Sequence, residues 1–283
     1  MEIFYDCLPC ILRQTIELLN FTTKDADKKN QIIKEAIKLI SDYENYKCSP
    51  EITRDLHLKV KQILDIEDIF KEIKQKDIES AKKLLPLLDG HIEKSNDKIK
   101  EILKISAIGN IIDSAVNLGI KIEECIESEL KKDFSHCDIE IFKNKLEKAN
   151  KILIIGDNSG ESVFDCLLAK YLSSKEVIYA VRDTPVLNDV TIQDAKNSGL
   201  EEYTKIISSG CNAPGTLLNE TNAEFLKIFN AADIVISKGQ GNYEALTPCG
   251  RDIFFLLKAK CRMVAEHLNV ALGGYVFKYS DNK

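Results

Sequence analysis

From about residue 8 to 148 the apolar positions recur at helical spacing. Ile11, Leu12, Thr15, Ile16 and Leu19 share one face, and Ile32, Ile33, Ala36, Ile37 and Ile40 share another. Ser49-Pro50 reads as an N-cap followed by proline at the first helical position, where the missing N–H costs nothing. Leu56, Val60, Ile63 and Leu64 continue an apolar stripe, and a further helix is expected over about 94–117. The charged stretches at 24–34 and 71–83 read as solvated helix faces. No strand and no internal repeat stands out in this half.

Near residue 150 the period changes. Ile152-Leu153-Ile154-Ile155 is a short, wholly apolar run ending in Gly156-Asp157. Similar runs cover residues 177–181, 205–208 and 234–237. Between them lie helical patterns such as Val163, Phe164, Leu167, Leu168, Tyr171 and Leu172. Strands buried on both faces and alternating with helices predict a parallel sheet covered by helices. Met263-Val264-Ala265 is expected as a fifth strand and Gly274-Tyr275-Val276-Phe277 as a late edge strand. The expected fold is therefore α/β: an all-helical domain over 1–148, and over 149–283 a Rossmann-like three-layer domain with a parallel sheet. The linker near 145–150 is charged and short, so the halves are expected to pack together.

Composition narrows the function classes. The 283 residues carry 39 Lys and Arg against 45 Asp and Glu, a net charge of −6. That balance argues against bulk binding to nucleic acid or anionic membrane, while leaving room for a local basic pocket. No apolar run approaches the roughly 20 residues of a membrane span. The opening Met-Glu-Ile-Phe-Tyr-Asp lacks the features of a secretory signal. Nine cysteines, an odd number, make a disulfide framework improbable and a reduced cytoplasmic setting the default.

Loops after parallel strands emerge on one edge of the sheet, where ligands bind. Here those loops are Gly156-Asp157-Asn158-Ser159-Gly160-Glu161, residues 182–189, residues 209–216, and Lys238-Gly239-Gln240-Gly241-Asn242-Tyr243-Glu244. Asp157, Asn158 and Asp189 offer only oxygen donors, which suit hard divalent cations such as Mg²⁺ or Mn²⁺. Lys238 and Arg182 can hold phosphate oxygens, and the helix start after Gly160 adds free N–H groups. The bland alternative is that Asp-Asn and Asn-Asp are ordinary turn and cap residues. Four such loops on one edge favour function. Asp183 competes with Asp189 as second carboxylate; Asp189 is preferred because it directly precedes a helical pattern over 190–197. Neither Gly-x-Gly-x-x-Gly nor Gly-x-x-x-x-Gly-Lys-Ser/Thr follows the first strand.

Asp157-Asn158-Ser159-Gly160-Glu161, Asn188-Asp189, the segment 208–216 and Lys238-Gly239-Gln240-Gly241-Asn242-Tyr243-Glu244 together resemble the motifs of the damage-control phosphatase family. Cys7-Leu8-Pro9-Cys10 resembles the signature of its prokaryotic Cys-x-x-Cys subgroup, and Gly109-Asn110-Ile111-Ile112-Asp113 matches another family segment. Cys48-Ser49-Pro50-Glu51 departs from an expected Pro-Pro pair, at a helix start away from the chemistry. The resemblance implies a divalent metal (Mn²⁺, Mg²⁺, Co²⁺ or Ni²⁺) held by Asp157, Asn158 and Asp189. It implies hydrolysis of small phosphorylated metabolites, such as sugar phosphates or damaged cofactor intermediates. Lys238 would contact the phosphate, and Asn110 would reach the site from the helical part. Arg182, Glu161, Ser209 and Gly210 complete the expected substrate-binding set.

Alternatives stay open at this point. Asp157 can be a covalent nucleophile instead of a ligand. A branch of the family described as a protein-glutamate carboxyl methyltransferase raises S-adenosylmethionine-dependent methyl transfer, although the Asp-Asn of the first loop would sit where that cofactor's methionine part belongs. A non-catalytic metal- or metabolite-binding protein is the third reading. Cys7 and Cys10 suit packing, half a zinc site or redox chemistry. His57, His91, His136 and His267 have no partner at ligand spacing. The substrate, the native metal and the oligomeric state are not legible.

Overall fold

The structure is a computed structural model and describes residues 1–109 and 122–280. It opens with α1 (Cys7–Thr22), α2 (Ala26–Ser41) and α3 (Ser49–Leu64), which bury Ile11, Leu18, Leu19, Ile32, Ala36, Ile52, Leu56, Val60 and Leu64 in a core of their own. Pro50 sits in the first turn of α3, but the helix starts one residue earlier than expected, with Cys48 as N-cap and Ser49 as its first residue. Two longer-range helices follow, α4 (Lys71–Glu93) and α5 (Lys98–Ile108), then α6 (Ile122–Leu130). The helix expected over 94–117 is thus α5 within the described residues, and its expected second half lies outside them.

The remainder alternates: β1 (Phe134–Cys137), α7 (Ile139–Lys148), β2 (Lys151–Ile155), α8 (Glu161–Leu172), β3 (Glu176–Val181), α9 (Ile192–Ser198), β4 (Lys205–Ser208), α10 (Ala223–Ala231), β5 (Ile234–Lys238), α11 (Gln240–Leu246), β6 (Ile253–Lys258), α12 (Arg262–Leu268) and β7 (Tyr275–Ser280). The seven strands form one sheet in the order β1-β7-β6-β5-β2-β3-β4. Every neighbouring pair is parallel except β6 with β7.

Alternate residues of the strands feed two cores. Ile152, Ile154, Tyr179, Ile236, Phe254 and Phe277 face α4 to α9. Leu153, Ile155, Ile178, Val235, Phe255 and Val276 face α10 to α12. Each such side chain withdrawn from water contributes about 1.5–3 kcal/mol, so both faces demand a helical cover. Among the described residues, no helix is long and apolar enough to cross a membrane.

Four further sequence expectations change. Met263, Val264 and Ala265 lie in α12, and the strand in that region is Ile253–Lys258. The uninterrupted run Ile253-Phe254-Phe255-Leu256-Leu257 is buried along its whole length, whereas Val264, Ala265 and Leu268 bury one helical face. The late strand is no edge: β7 lies between β1 and β6 and runs against β6. The sheet is accordingly mixed. Finally, the first half is not wholly helical. Residues 134–137 form β1, which joins the sheet through β7, and α7 packs Phe142 against Phe254 and Phe277. With only four residues and a half-exposed pattern, β1 leaves almost no periodic signal.

Candidate functional site

The chain runs from β2 outward through β3 to β4, then crosses back to lay β5 on the other side of β2. The crevice beyond the carboxyl ends of β2 and β5 is therefore the topological switch point of the sheet. The loops after these strands close on it. Asn158 forms an isolated antiparallel bridge with Asp189. The Ser159 N–H donates to the Asn188 carbonyl at 2.9 Å, and the Val190 N–H to the Asp157 carbonyl at 2.8 Å. This pairing stitches the loop after β2 to the loop after β3 and brings Asp157, Asn158 and Asp189 side by side. Thr191 and Asp194 then form a capping box that starts α9, fixing the chain two residues beyond Asp189. Asp183 is exposed and accepts from Ser208 Oγ at 2.6 Å, a turn contact away from this group.

Glycine makes the close approach of the loop after β5 to Asp157 possible. Gly239 has φ +80°, and a Cβ there would lie 2.0 Å from Asp157 Oδ2. Only glycine both adopts that backbone and leaves room for the carboxylate. Nearby, a Cβ on Gly241 would lie 1.9 Å from the Pro214 carbonyl oxygen, so the loop after β4 also presses on the start of α11.

All the site side chains are buried. Arg182 is 1% exposed and Lys238 0%. The Arg182 guanidinium donates to Asp189 Oδ2 at 2.7 Å, to Thr216 Oγ1 at 2.8 Å and to Asn242 Oδ1 at 3.0 Å. Expected at the substrate, Arg182 here binds three side chains, two from loops and Asn242 from α11, and orients Asp189. Lys238 donates to Glu161 Oε1, to Asp165 Oδ1 at 2.6 Å and to the Ser106 carbonyl at 3.3 Å. Glu161 Oε2 is buried without a hydrogen-bond partner among the described residues. The Asn158 amide nitrogen donates to Asp157 Oδ2 at 3.0 Å, so its carbonyl oxygen is the end that can ligate. Ser209 accepts from the Cys211 N–H at 3.3 Å, and Gly210 packs against Asn222, the N-cap of α10; both contacts shape the loop after β4.

Electrostatics reflect crowding of like charge. Burial pushes Asp189 up to about 7; Arg182 opposes the shift and the neighbouring Asp157 adds to it. Burial likewise raises Glu161 to about 8, opposed by Lys238 and reinforced by Asp165 and Asp157. Burial pulls Lys238 down, but the charges of Asp165 and Glu161 outweigh it and hold the ammonium above its ordinary value. Among the described residues, four buried carboxyl groups (Asp157, Glu161, Asp165, Asp189) crowd two buried cations (Arg182, Lys238). No group of three or more His, Cys, Asp or Glu among the described residues is arranged to hold a metal. The donor set that fits one here is two carboxylates and an amide oxygen, all hard.

The helical part roofs the rim. Lys61 Nζ donates to the Pro185 carbonyl at 3.2 Å, Arg54 pairs with Glu220, and Cys48 packs with Cys211, Ala213 and Leu217. Gly109 ends α5 against the Glu161 backbone, where a Cβ would lie 2.9 Å from Glu161 Cα. Asn110 lies outside the described residues. Cys7 and Cys10 open α1, and all nine cysteines are free thiols. Two surface hollows of about 520 and 630 Å³ lie at the opposite edge of the sheet, among Lys145, Lys148 and Asp233 and among Asp97, Lys143 and Lys175; neither touches the carboxylate group.

Sequence reasoning missed Ser106, Asp165, Tyr179, Thr216 and Asn242 as parts of this network. Asp165 had a signal. It falls one turn after Glu161 on a helix otherwise buried by Val163, Phe164, Leu168 and Leu172, and a charge at such a position requires a partner.

Comparison with known proteins agrees with this architecture. A crystal structure described as a DUF89 family protein from Pyrococcus horikoshii superposes with a TM-score of 0.91 at 34% identity, covering 100% of both chains. The protein named Damage-control phosphatase PH1575, from the same organism, is 35% identical over 98% of this chain and 97% of its own length. One named Damage-control phosphatase, from Archaeoglobus fulgidus, is 31% identical over 98% of this chain and 99% of its own. Residues 3–276 match the family described as the damage-control phosphatase ARMT1-like domain, and the chain belongs to that family.

Proposed function

We propose that the protein is a divalent-metal-dependent phosphatase acting on small phosphorylated metabolites, sugar phosphates or damaged phospho-metabolites among them. The observation that carries this reading is the set of buried oxygen donors, Asp157, Asn158 and Asp189, that backbone pairing brings together at the switch point. The names of the relatives, damage-control phosphatases, support the reaction class.

Asp157, Asn158 and Asp189 would hold Mn²⁺, Mg²⁺, Co²⁺ or Ni²⁺. When bound, such an ion supplies polarisation of a phosphate oxygen and a more acidic bound water. The chain does the rest. Arg182 keeps the Asp189 carboxylate fixed through its Nε. Lys238 presents a permanent positive charge beside the crevice, where phosphate oxygens gain charge during transfer. The carboxylates are buried, which strengthens each of these interactions.

Phosphate release from a panel of sugar phosphates and nucleotides, with each of the four metals and with chelator, tests the proposal. Activity is expected only with metal, and Asp157→Ala is expected to abolish it. Turnover that survives both Asp157→Ala and chelation would refute the reading. A panel on which no metal supports any release would refute it as well.

A further inference from the structure

Asp165 is fully buried and makes three hydrogen bonds. Its Oδ1 accepts from Lys238 Nζ at 2.6 Å and from Ser106 Oγ at 2.5 Å, and its Oδ2 accepts from Tyr179 OH at 2.6 Å. The donors come from β5, α5 and β3, elements that share no loop. Tyr179 and Ser106 are themselves buried, so neither hydroxyl is free to leave for water.

Lys238 has three N–H directions and all are used: Asp165, the Ser106 carbonyl and Glu161. These partners are not equivalent. The Asp165 carboxylate is braced on both oxygens, and the Ser106 carbonyl belongs to the last turn of α5, whose negative dipole end faces the ammonium. Glu161 is tethered through Oε1 alone, with its other oxygen unpartnered among the described residues. An anion arriving at Lys238 therefore meets two fixed contacts and one exchangeable one.

We propose that Asp165 is the positioning residue of this site: braced by Tyr179 and Ser106, it aims the Lys238 ammonium, and it leaves the Glu161 contact as the one a substrate phosphate oxygen replaces. This rests on the phosphatase reading above. Because Ser106 lies on α5, it also makes the aim of Lys238 depend on how the helical part docks on the sheet.

The test uses the full chain with Mn²⁺ and p-nitrophenyl phosphate, read as kcat and KM separately. A group that only aims a charge at the transition state acts on kcat. Asp165→Asn keeps the shape and removes the charge; kcat is expected to fall roughly 10- to 100-fold, with KM within about threefold and calorimetric Mn²⁺ affinity unchanged. Tyr179→Phe removes one brace and keeps Asp165; kcat is expected to fall roughly 3- to 10-fold in the same pattern. Asp165→Asn with kcat within twofold of wild type overturns the proposal, as does a loss that follows weakened Mn²⁺ binding. Should Asp165→Asn fail to fold, Tyr179→Phe with wild-type kcat overturns it. Wild-type protein that releases no phosphate overturns the phosphatase reading and the positioning role with it, whereas an active wild type with unaffected variants overturns the positioning role alone.

Discussion

Gly239 shows how much of the site depends on one missing carbon. Its positive φ costs a non-glycine residue about 1–2 kcal/mol, and the Asp157 carboxylate occupies the space a side chain would need. Gly239→Ala is expected to lower the melting temperature and to weaken Mn²⁺ binding together, because Asp157 must move; calorimetric unfolding and metal titration read the two effects. His57 offers a prediction removed from the chemistry. It is buried in α3, and burial, with the charges of Lys61 and Lys74, depresses it from 6.5 to about 4. The folded state therefore holds it neutral while the unfolded chain protonates it. Its contribution is complete above pH 6.5 and is lost as pH falls towards 4, a loss of about 3 kcal/mol once both states are protonated. Urea unfolding of wild type and His57→Gln between pH 4.5 and 7 is expected to show a shallower decline for the variant. At this scale the juxtaposition of Asp157, Asn158 and Asp189 was legible because the first two end an apolar run and the third directly precedes a helical pattern. Ser106 was hidden because a single small polar residue inside a helix looks like a solvated face until the packing is known, whereas Asp165 carried a signal as a charge within an otherwise apolar helix.

Elements behave as their sequence signals allow. α9 is only seven residues long, and its capping box carries much of its definition. Thr191→Ala is expected to cost about 1 kcal/mol of stability. Because the cap also anchors the segment that pairs with Asn158, metal affinity is expected to drop in the same variant, measured by titration calorimetry. The strands β2, β3 and β5 were readable since each is a largely buried run with helices on both sides, whereas β4, at the edge of the sheet and only partly buried, was readable from its short apolar run. The misplaced fifth strand has a physical lesson: a run of five apolar residues outweighs an apolar triplet, because only the former can be buried on two faces. The orientation of β7 was beyond reach, since pairing direction depends on the connection through α12 and not on the strand's own residues.

At the scale of the whole molecule, charge is the governing quantity. On the phosphatase reading, the buried carboxyl groups crowded at the switch point cost the metal-free protein stability, and a cation that binds only the folded form adds stability by mass action. Mn²⁺ at a hundred times its Kd is expected to add about 2.7 kcal/mol, seen as a rise in melting temperature that chelator reverses. Asp157→Asn removes one of the like charges beside Asp189. It is expected to leave the metal-free protein at least as stable as wild type while abolishing the rise, a pair of outcomes that differential scanning fluorimetry distinguishes.

The sheet also fixes an order of assembly. β1 hydrogen-bonds to β7, and the two are separated by more than a hundred residues of chain. During synthesis, β1 emerges from the ribosome long before its partner and must wait, with Phe142 of the adjoining helix still lacking Phe254 and Phe277, until the distant strand arrives. The flank of the molecule around residues 134–148 is thus the last to lock, and a nascent chain stalled before residue 275 is expected to expose that flank to proteases while the α1–α3 core is already closed.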